Sequence, residues 1–322
     1  MAATGARKRG AKANGGDPVA KKAQAQKTKA APKVWTTSHR PGLPMPAALA
    51  GPLAELQDQL GMPVWLLLHN DERALLEYRV LRAFLDSRDA LGKQRVALVI
   101  DSPGGYADIA FRIARTLCRH SDGFIAVIPR WAKSAATLLT LGADEVVFGR
   151  DAEIGPLDVQ VYDQEREERG SALDEIQALE QLHQVALQQL NQNLIMMRMI
   201  TRRRYDVVMP HASKLTSDMM APLLDKIDTI HYAKQSRLLR VAEDYAIRLM
   251  MPRVPKERAR QIADQLVKKY PEHGFVIDRK EAKEILDITD HSDETERTLR
   301  KIEQYMWDND KVEAFGRFQE KA

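Results

Sequence analysis

The chain has 322 residues, 44% hydrophobic and 29% charged, which is ordinary for a folded domain and enough for a sizeable core. No apolar run reaches the ~18 residues that suggest a membrane span, the N-terminus lacks the apolar stretch of a secretory signal, and a single cysteine, Cys118, excludes an internal disulfide. These features predict a protein of a reducing compartment, cytoplasmic by default. The net charge of +4 is unevenly placed: residues 1–33 hold nine Lys/Arg and one acid, Asp17, so the tail carries +8 and the remainder −4.

Residues 1–34 form an Ala/Lys/Gly-rich tail with too little apolar surface to fold. It reads either as a weak contact for nucleic acid or an anionic surface through residues 1–33, or as a solvated extension, since no aromatic is interleaved for base stacking. Residues 35–60 read as an irregular connector, with Pro and Gly clustered between Arg40 and Pro46. A domain over 61–290 then alternates apolar runs with helical spacing. Strands are predicted over Pro63–His69, Val96–Ile100, Phe124–Ile128 and Glu145–Phe148. Helices are predicted over Glu72–Ser87, Tyr106–Arg119 and Ser134–Leu141. Apolar strands without polar alternation, separated by helices, imply an α/β fold with a parallel sheet covered on both faces. Cys118 falls on an apolar helical stripe and is expected to be a small buried hydrophobe.

From about residue 170 the pattern becomes a mainly helical C-terminal part. One apolar stripe runs from Leu173 to Met197 and another from Leu238 to Leu249; helix, short strand (Phe275–Ile277) and helix follow over Lys256–Leu286. Met196, Met197 and Met199 suit adaptable core or interface packing. Arg202–Arg204 read as a solvated helix end, and residues 291–322 as a C-terminal helix.

Two loops carry candidate chemistry. Asp101-Ser-Pro-Gly-Gly105 follows one strand, and its glycine amides could hold a developing oxyanion or merely form a turn. Pro129-Arg-Trp-Ala-Lys-Ser134 follows the next strand, and Ser134 is either a helix N-cap or an exposed nucleophile among small residues. Carboxyl ends of neighbouring parallel strands line one crevice, so Gly104, Gly105 and Ser134 are expected to converge there. No metal-ligand cluster or phosphate-binding loop is apparent, and no cofactor is expected.

Asp-Ser-Pro-Gly-Gly (101–105), Ala-Lys-Ser-Ala-Ala-Thr-Leu-Leu-Thr-Leu-Gly-Ala-Asp (132–144) and Ile-Gly-Pro-Leu-Asp-Val-Gln (154–160) resemble the ClpP/crotonase-fold serine peptidases. The nearest likeness is to the serine dehydrogenase proteinase family, related to ClpP and signal peptide peptidase A. The resemblance covers residues 60–160 well and 172–286 more loosely. It implies a ClpP/crotonase-like parallel sheet with flanking helices, Ser134 as nucleophile, and Gly104 and Gly105 as the oxyanion hole.

No His occurs between His120 and His183, so a ClpP-type histidine in the 154–158 loop is absent. By resemblance, Asp158 and His273 complete a Ser–Asp–His triad. As in signal peptide peptidase A, a lysine could serve instead as the base, with Lys214 and Lys226 the candidates. Lys133 reads as a surface residue or substrate contact. The expected activity is peptide-bond hydrolysis on a peptide or protein substrate, by a homo-oligomer for which helix 172–200 would suit an interface. A catalytically silent scaffold and a crotonase-type acyl-CoA enzyme are the alternatives on the same fold.

Overall fold

A computed structural model describes residues 33–40, 42–71, 75–157, 160–163 and 168–321; of residues 160–163 and 168–175 it describes the backbone alone. The basic tail up to residue 32 lies outside the described residues. In chain order the elements are β1 (Trp35–Thr37), α1 (Ala47–Leu60), β2 (Val64–His69), α2 (Tyr78–Asp86), β3 (Val96–Asp101), α3 (Ala107–His120), β4 (Phe124–Ile128), β5 (Trp131–Ala132), α4 (Ala135–Thr140), β6 (Glu145–Phe148) and β7 (Glu153–Ile154). There follow β8 (Gln160–Asp163), β9 (Glu168–Ser171), α5 (Ala172–Thr201), α6 (Tyr205–Leu224), α7 (Thr229–Met250), α8 (Lys256–Asp264), β10 (Ile277–Asp278), α9 (Arg279–Ala282), β11 (Ile288–Thr289), α10 (Asp293–Asp308) and β12 (Glu313–Glu320).

The central sheet runs β1-β12-β2-β3-β4-β6-β11. From β2 to β11 its neighbours are parallel, while β12 and β1 add antiparallel at one edge. Both faces are covered, and β2 shows how. Val64, Leu66 and Leu68 join the α1/α10 core with Leu53, Leu56, Leu299 and Ile302, whereas Trp65 and Leu67 join the α2/α3 core. With side chains alternating across a strand, the interior of a strand buried on both sides must be apolar at every position, and the buried His69 and Asp101 stand only at the ends of β2 and β3. That is why β2, β3 and β4 read as unbroken hydrophobic runs. The fold is the expected α/β class, with a helical part after β9.

Several expectations are corrected. The 35–60 connector is strand β1 plus helix α1, and residues from Val34 onward form one unit. Leu49, Leu53 and Leu56 are buried at helical spacing, and Gly61, at φ 64°, ends α1 with its N–H on Gln57 O at 3.0 Å. The Pro and Gly residues before α1 hid that pattern. The 291–322 segment is helix α10 followed by β12, whose Phe318 stacks on Trp35 with centroids 4.5 Å apart. The helix expected from Glu72 begins at Tyr78; residues 72–74 lie outside the described residues, and Leu76 is instead bridged to Gly105. Cys118 is exposed, on the rim of α3, with its Sγ 3.7 Å from Gly142 O.

One buried ion pair stands at the carboxyl end of the sheet. Asp101, fully buried at the end of β3, accepts from Arg130 Nε at 2.9 Å and Nη2 at 2.5 Å. The guanidinium lies against Trp131 and Trp307, and its Nη1 donates to Met306 O at 3.3 Å. Burial pushes the Asp101 carboxyl up, to about 6, against the opposing pull of Arg130. Removing one member leaves the other charge buried and unpaired. Asp101→Asn is therefore expected to lower unfolding stability in urea by about 3–5 kcal/mol, and Asp101→Leu combined with Arg130→Met to recover most of that loss.

Candidate active site

The chain after β3 and the chain after β4 run side by side. Ser102 N–H donates to Trp131 O (3.3 Å), Lys133 N–H donates to Ser102 O (3.0 Å), and Ser102 bridges Ala132 in parallel. This alignment sets Gly104 directly against Ser134. A Cβ added to Gly104 would lie 2.8 Å from Ser134 Cβ and 2.7 Å from Lys133 O. Gly104 and Gly105 have φ of 104° and 149°, which side-chain-bearing residues rarely adopt. A Cβ on Gly105 would collide with the backbone of Leu76.

Ser134 is half-buried at the start of α4, with φ 50° and ψ −118°. That backbone state costs on the order of 1–3 kcal/mol and persists only where its surroundings impose it. Ser134 has the position of an N-cap, yet its side chain makes no capping hydrogen bond. A sharp, strained strand-to-helix turn is the geometry that lifts a nucleophilic hydroxyl clear of its helix.

The amides around Ser134 differ in what they bind. Gly104 N–H points to Ser102 Oγ at 3.2 Å. Leu76 N–H donates to Gly104 O (2.8 Å), and Tyr106 N–H donates to Leu76 O (2.9 Å). In an extended chain successive residues present their polar groups to opposite edges. Gly105 therefore turns its N–H and C=O away from Leu76, and among the described residues its N–H donates to no carbonyl. Ala135, first residue of α4, likewise has no backbone acceptor for its N–H among the described residues.

A small sheet, β10-β7-β5, brings distant segments to this edge. β5 runs parallel to β7, and β10 is antiparallel to β7 with Ile277 opposite Ile154. The chain leaving β5 reaches Ser134, the chain leaving β7 reaches Gly155 and Leu157, and the chain entering β10 comes from His273. Thr137 Oγ1 knits the first two, donating to Ala132 O (2.7 Å) and accepting from Gly155 N–H (3.2 Å). The half-buried His273 lies in a turn anchored by the buried Tyr270, whose hydroxyl donates to Glu281 Oε1 at 2.9 Å and whose ring packs on Phe275. Burial pushes the Tyr270 hydroxyl up to about 12, so it stays protonated and keeps donating. Asp158, three residues beyond Gly155, lies outside the described residues.

The chain matches the model of the ClpP-like SDH-type serine proteinases over residues 54–220. It belongs to that family. Two uncharacterized proteins of Methanocaldococcus jannaschii, MJ1495 and MJ0137, are 29% and 30% identical to it over 119 residues, 34% of this chain and 41% and 42% of theirs. The chain thus spans about two-fifths of the length of these curated relatives.

Both lysine candidates stand in solvent. Lys214, on α6, is 78% exposed and paired with Asp218 at 3.3 Å, and Lys226 is exposed in the turn after α6. Neither is desolvated, which is what a neutral lysine base requires. Lys133, expected to be a surface residue or a substrate contact, is 13% exposed and paired with Glu153 at 2.7 Å, with its stem lying over Gly155. Sequence reading missed the Ala135 amide and Thr137. Both lie within the Ser-Ala-Ala-Thr block, whose small residues and lone threonine were the available signal.

The glycine geometry is testable by contrast. Gly61 also has positive φ, but nothing lies within 4 Å of a Cβ built there. Gly61→Ala should cost only the left-handed backbone penalty, about 1–2 kcal/mol. Gly105→Ala adds a collision with Leu76 and should lose clearly more, at least about 3 kcal/mol, in matched urea titrations.

Proposed function

We propose that this family member is a serine peptidase that hydrolyses peptide bonds through an acyl-enzyme on Ser134. The observation that carries the reading is the strained, non-capping Ser134 packed against Gly104. His273 takes the Ser134 Oγ proton as the hydroxyl attacks the scissile carbonyl, and Asp158 orients the imidazole and balances its charge. The N–H groups of Gly105 and Ala135 hold the oxyanion of the tetrahedral intermediate, since Gly104 N–H is already turned to Ser102 Oγ. His273 then protonates the leaving amine, and a water activated the same way releases the acyl group.

The substrate is an extended peptide. Leu76 occupies one edge of the Gly104–Tyr106 segment through an isolated bridge to Gly105, and the opposite edge supplies the Gly105 N–H and C=O, to which a peptide backbone can add as a strand. We assign the base to His273 over Lys214 and Lys226. The β10–β7–β5 register supports the histidine, and the exposure of both lysines speaks against them. The working form is a homo-oligomer, supported by apolar side chains left exposed along α5 and α6, among them Leu187, Met219 and Leu223. Among the described residues no helix is long and apolar enough to cross a membrane, and the lone Cys118 fits a reducing, cytoplasmic setting.

Ser134→Ala is expected to abolish covalent labelling by a fluorophosphonate probe; equal labelling of variant and parent would overturn the assignment. With a fluorogenic peptide, His273→Ala should slow hydrolysis by about 10²–10⁴-fold, while Lys214→Ala and Lys226→Ala leave it unchanged. The reverse pattern would transfer the base to a lysine.

A further inference from the structure

Helices α5 and α6 form an antiparallel hairpin whose far end carries chemistry that peptide hydrolysis does not use. Leu190, Leu194 and Met197 of α5 pack on Val208, Ala212 and Met209 of α6. At the tip, however, apolar side chains on other faces remain in solvent. Met199 is 75% exposed and Ile200 74%, with Ile195, Tyr205 and Val207 each about half exposed. Arg198, Arg202, Arg203 and Arg204 surround them, all exposed. Between Glu180 and Asp206 the chain contains no acid. Asp206 pairs with Arg204 at 3.3 Å, which leaves the tip with a surplus of three positive charges. A cleft of about 340 Å³ opens there between Asn191, Arg198, Arg202 and Arg203.

We propose that the α5–α6 tip is a docking surface for the headgroup layer of an anionic lipid bilayer. The arginines and the cleft they line suit lipid phosphates, to which guanidinium groups donate in pairs. Met199, Ile200 and Tyr205 then sink to the boundary between headgroups and acyl chains, where their apolar surface leaves water. Charge complementarity selects this occupant over the others. A second copy meeting the tip through a two-fold axis would bring its own arginines against these. A nucleic acid would satisfy the charges, but exposed aliphatic side chains gain nothing from a phosphate backbone, and base stacking would call for more aromatics than Tyr205. The contact is peripheral and does not rest on the peptidase reading.

The test is co-sedimentation of the full chain with vesicles of phosphatidylcholine alone, or of equal parts phosphatidylcholine and phosphatidylglycerol. Binding is expected only to the anionic vesicles and should weaken with salt. In the full chain, Arg202→Gln with Arg203→Gln should weaken it about thirtyfold, and Met199→Ser with Ile200→Ser at least about tenfold. Unchanged circular dichroism and an unchanged urea unfolding midpoint of each variant show that the fold survives. Vesicle binding equal in parent and both variants would assign it to the basic residues 1–33 and overturn the proposal. So would an absence of vesicle binding, whether or not the Met199→Ser and Ile200→Ser chain loses self-association or the Arg202→Gln and Arg203→Gln chain loses affinity for single-stranded DNA; those two losses would reassign the tip to a second copy or to nucleic acid.

Discussion

The pair between Asp101 and Arg130 is the constraint on which the rest of the site depends. Asp101 ends β3 and begins the loop to Gly104; Arg130 follows β4 and precedes the loop to Ser134. Two bonds from one guanidinium therefore hold together the starts of the two loops that carry Gly104 and Ser134. Burial makes the arrangement stringent, because a charge in that environment tolerates loss of its partner poorly. The same guanidinium reaches Met306 O and lies against Trp307, so α10 is coupled to the loop that carries Ser134. Asn70 reinforces the link, its amide donating to Met306 O and Asn309 O and accepting from Val312 N–H. The carboxyl end of the sheet is thus closed by the C-terminal segment.

With the loops held, strain can be concentrated where it serves. Ser134 has positive φ, and Gly104 and Gly105 occupy conformations closed to other residues. Each of these states would relax if its neighbours yielded. They do not, because Gly104 abuts Ser134, Gly105 abuts Leu76, and Thr137 ties Ala132 to Gly155. The strain is held by contacts between segments, and a lone local turn could not maintain it.

How much of this is legible in the sequence follows from the same distinction. Strands β2, β3, β4 and β6 are readable because burial on two faces leaves polar residues only at their ends, His69, Asp101 and Glu145. Their boundaries differ from the expected ones by no more than a residue. Ser134, Gly104 and Gly105 are readable because backbone geometry restricts which residues may stand there. Helix α1 and strand β12 were not readable with equal ease: Pro52 and the preceding Pro/Gly cluster mask α1, and charged Glu313, Arg317 and Glu320 mask β12. Strands β5, β7 and β10, two residues each, have no periodicity to detect. Arg130 resembled any loop arginine, since its partner Asp101 is twenty-nine positions away and only the fold brings them together.

Those undetectable strands decide the least legible part of the site. The segment of His273 is more than a hundred residues from Ser134 in sequence and is separated from it by three long helices. The β10–β7 pairing spans that distance with two residue pairs, Ile277 with Ile154 and Asp278 with Glu153. So short a pairing is marginal alone. It is held by what surrounds it: Ile277 is wholly buried, Asp278 caps α9 through Glu281 N–H, and Tyr270 anchors the turn before it. Leu157 N–H on Leu266 O adds a further tie between the β7 exit and the chain after α8. The segment after α8 is therefore coupled to the chain beyond Ser134 through backbone pairing, with α5, α6 and α7 lying between the two in sequence.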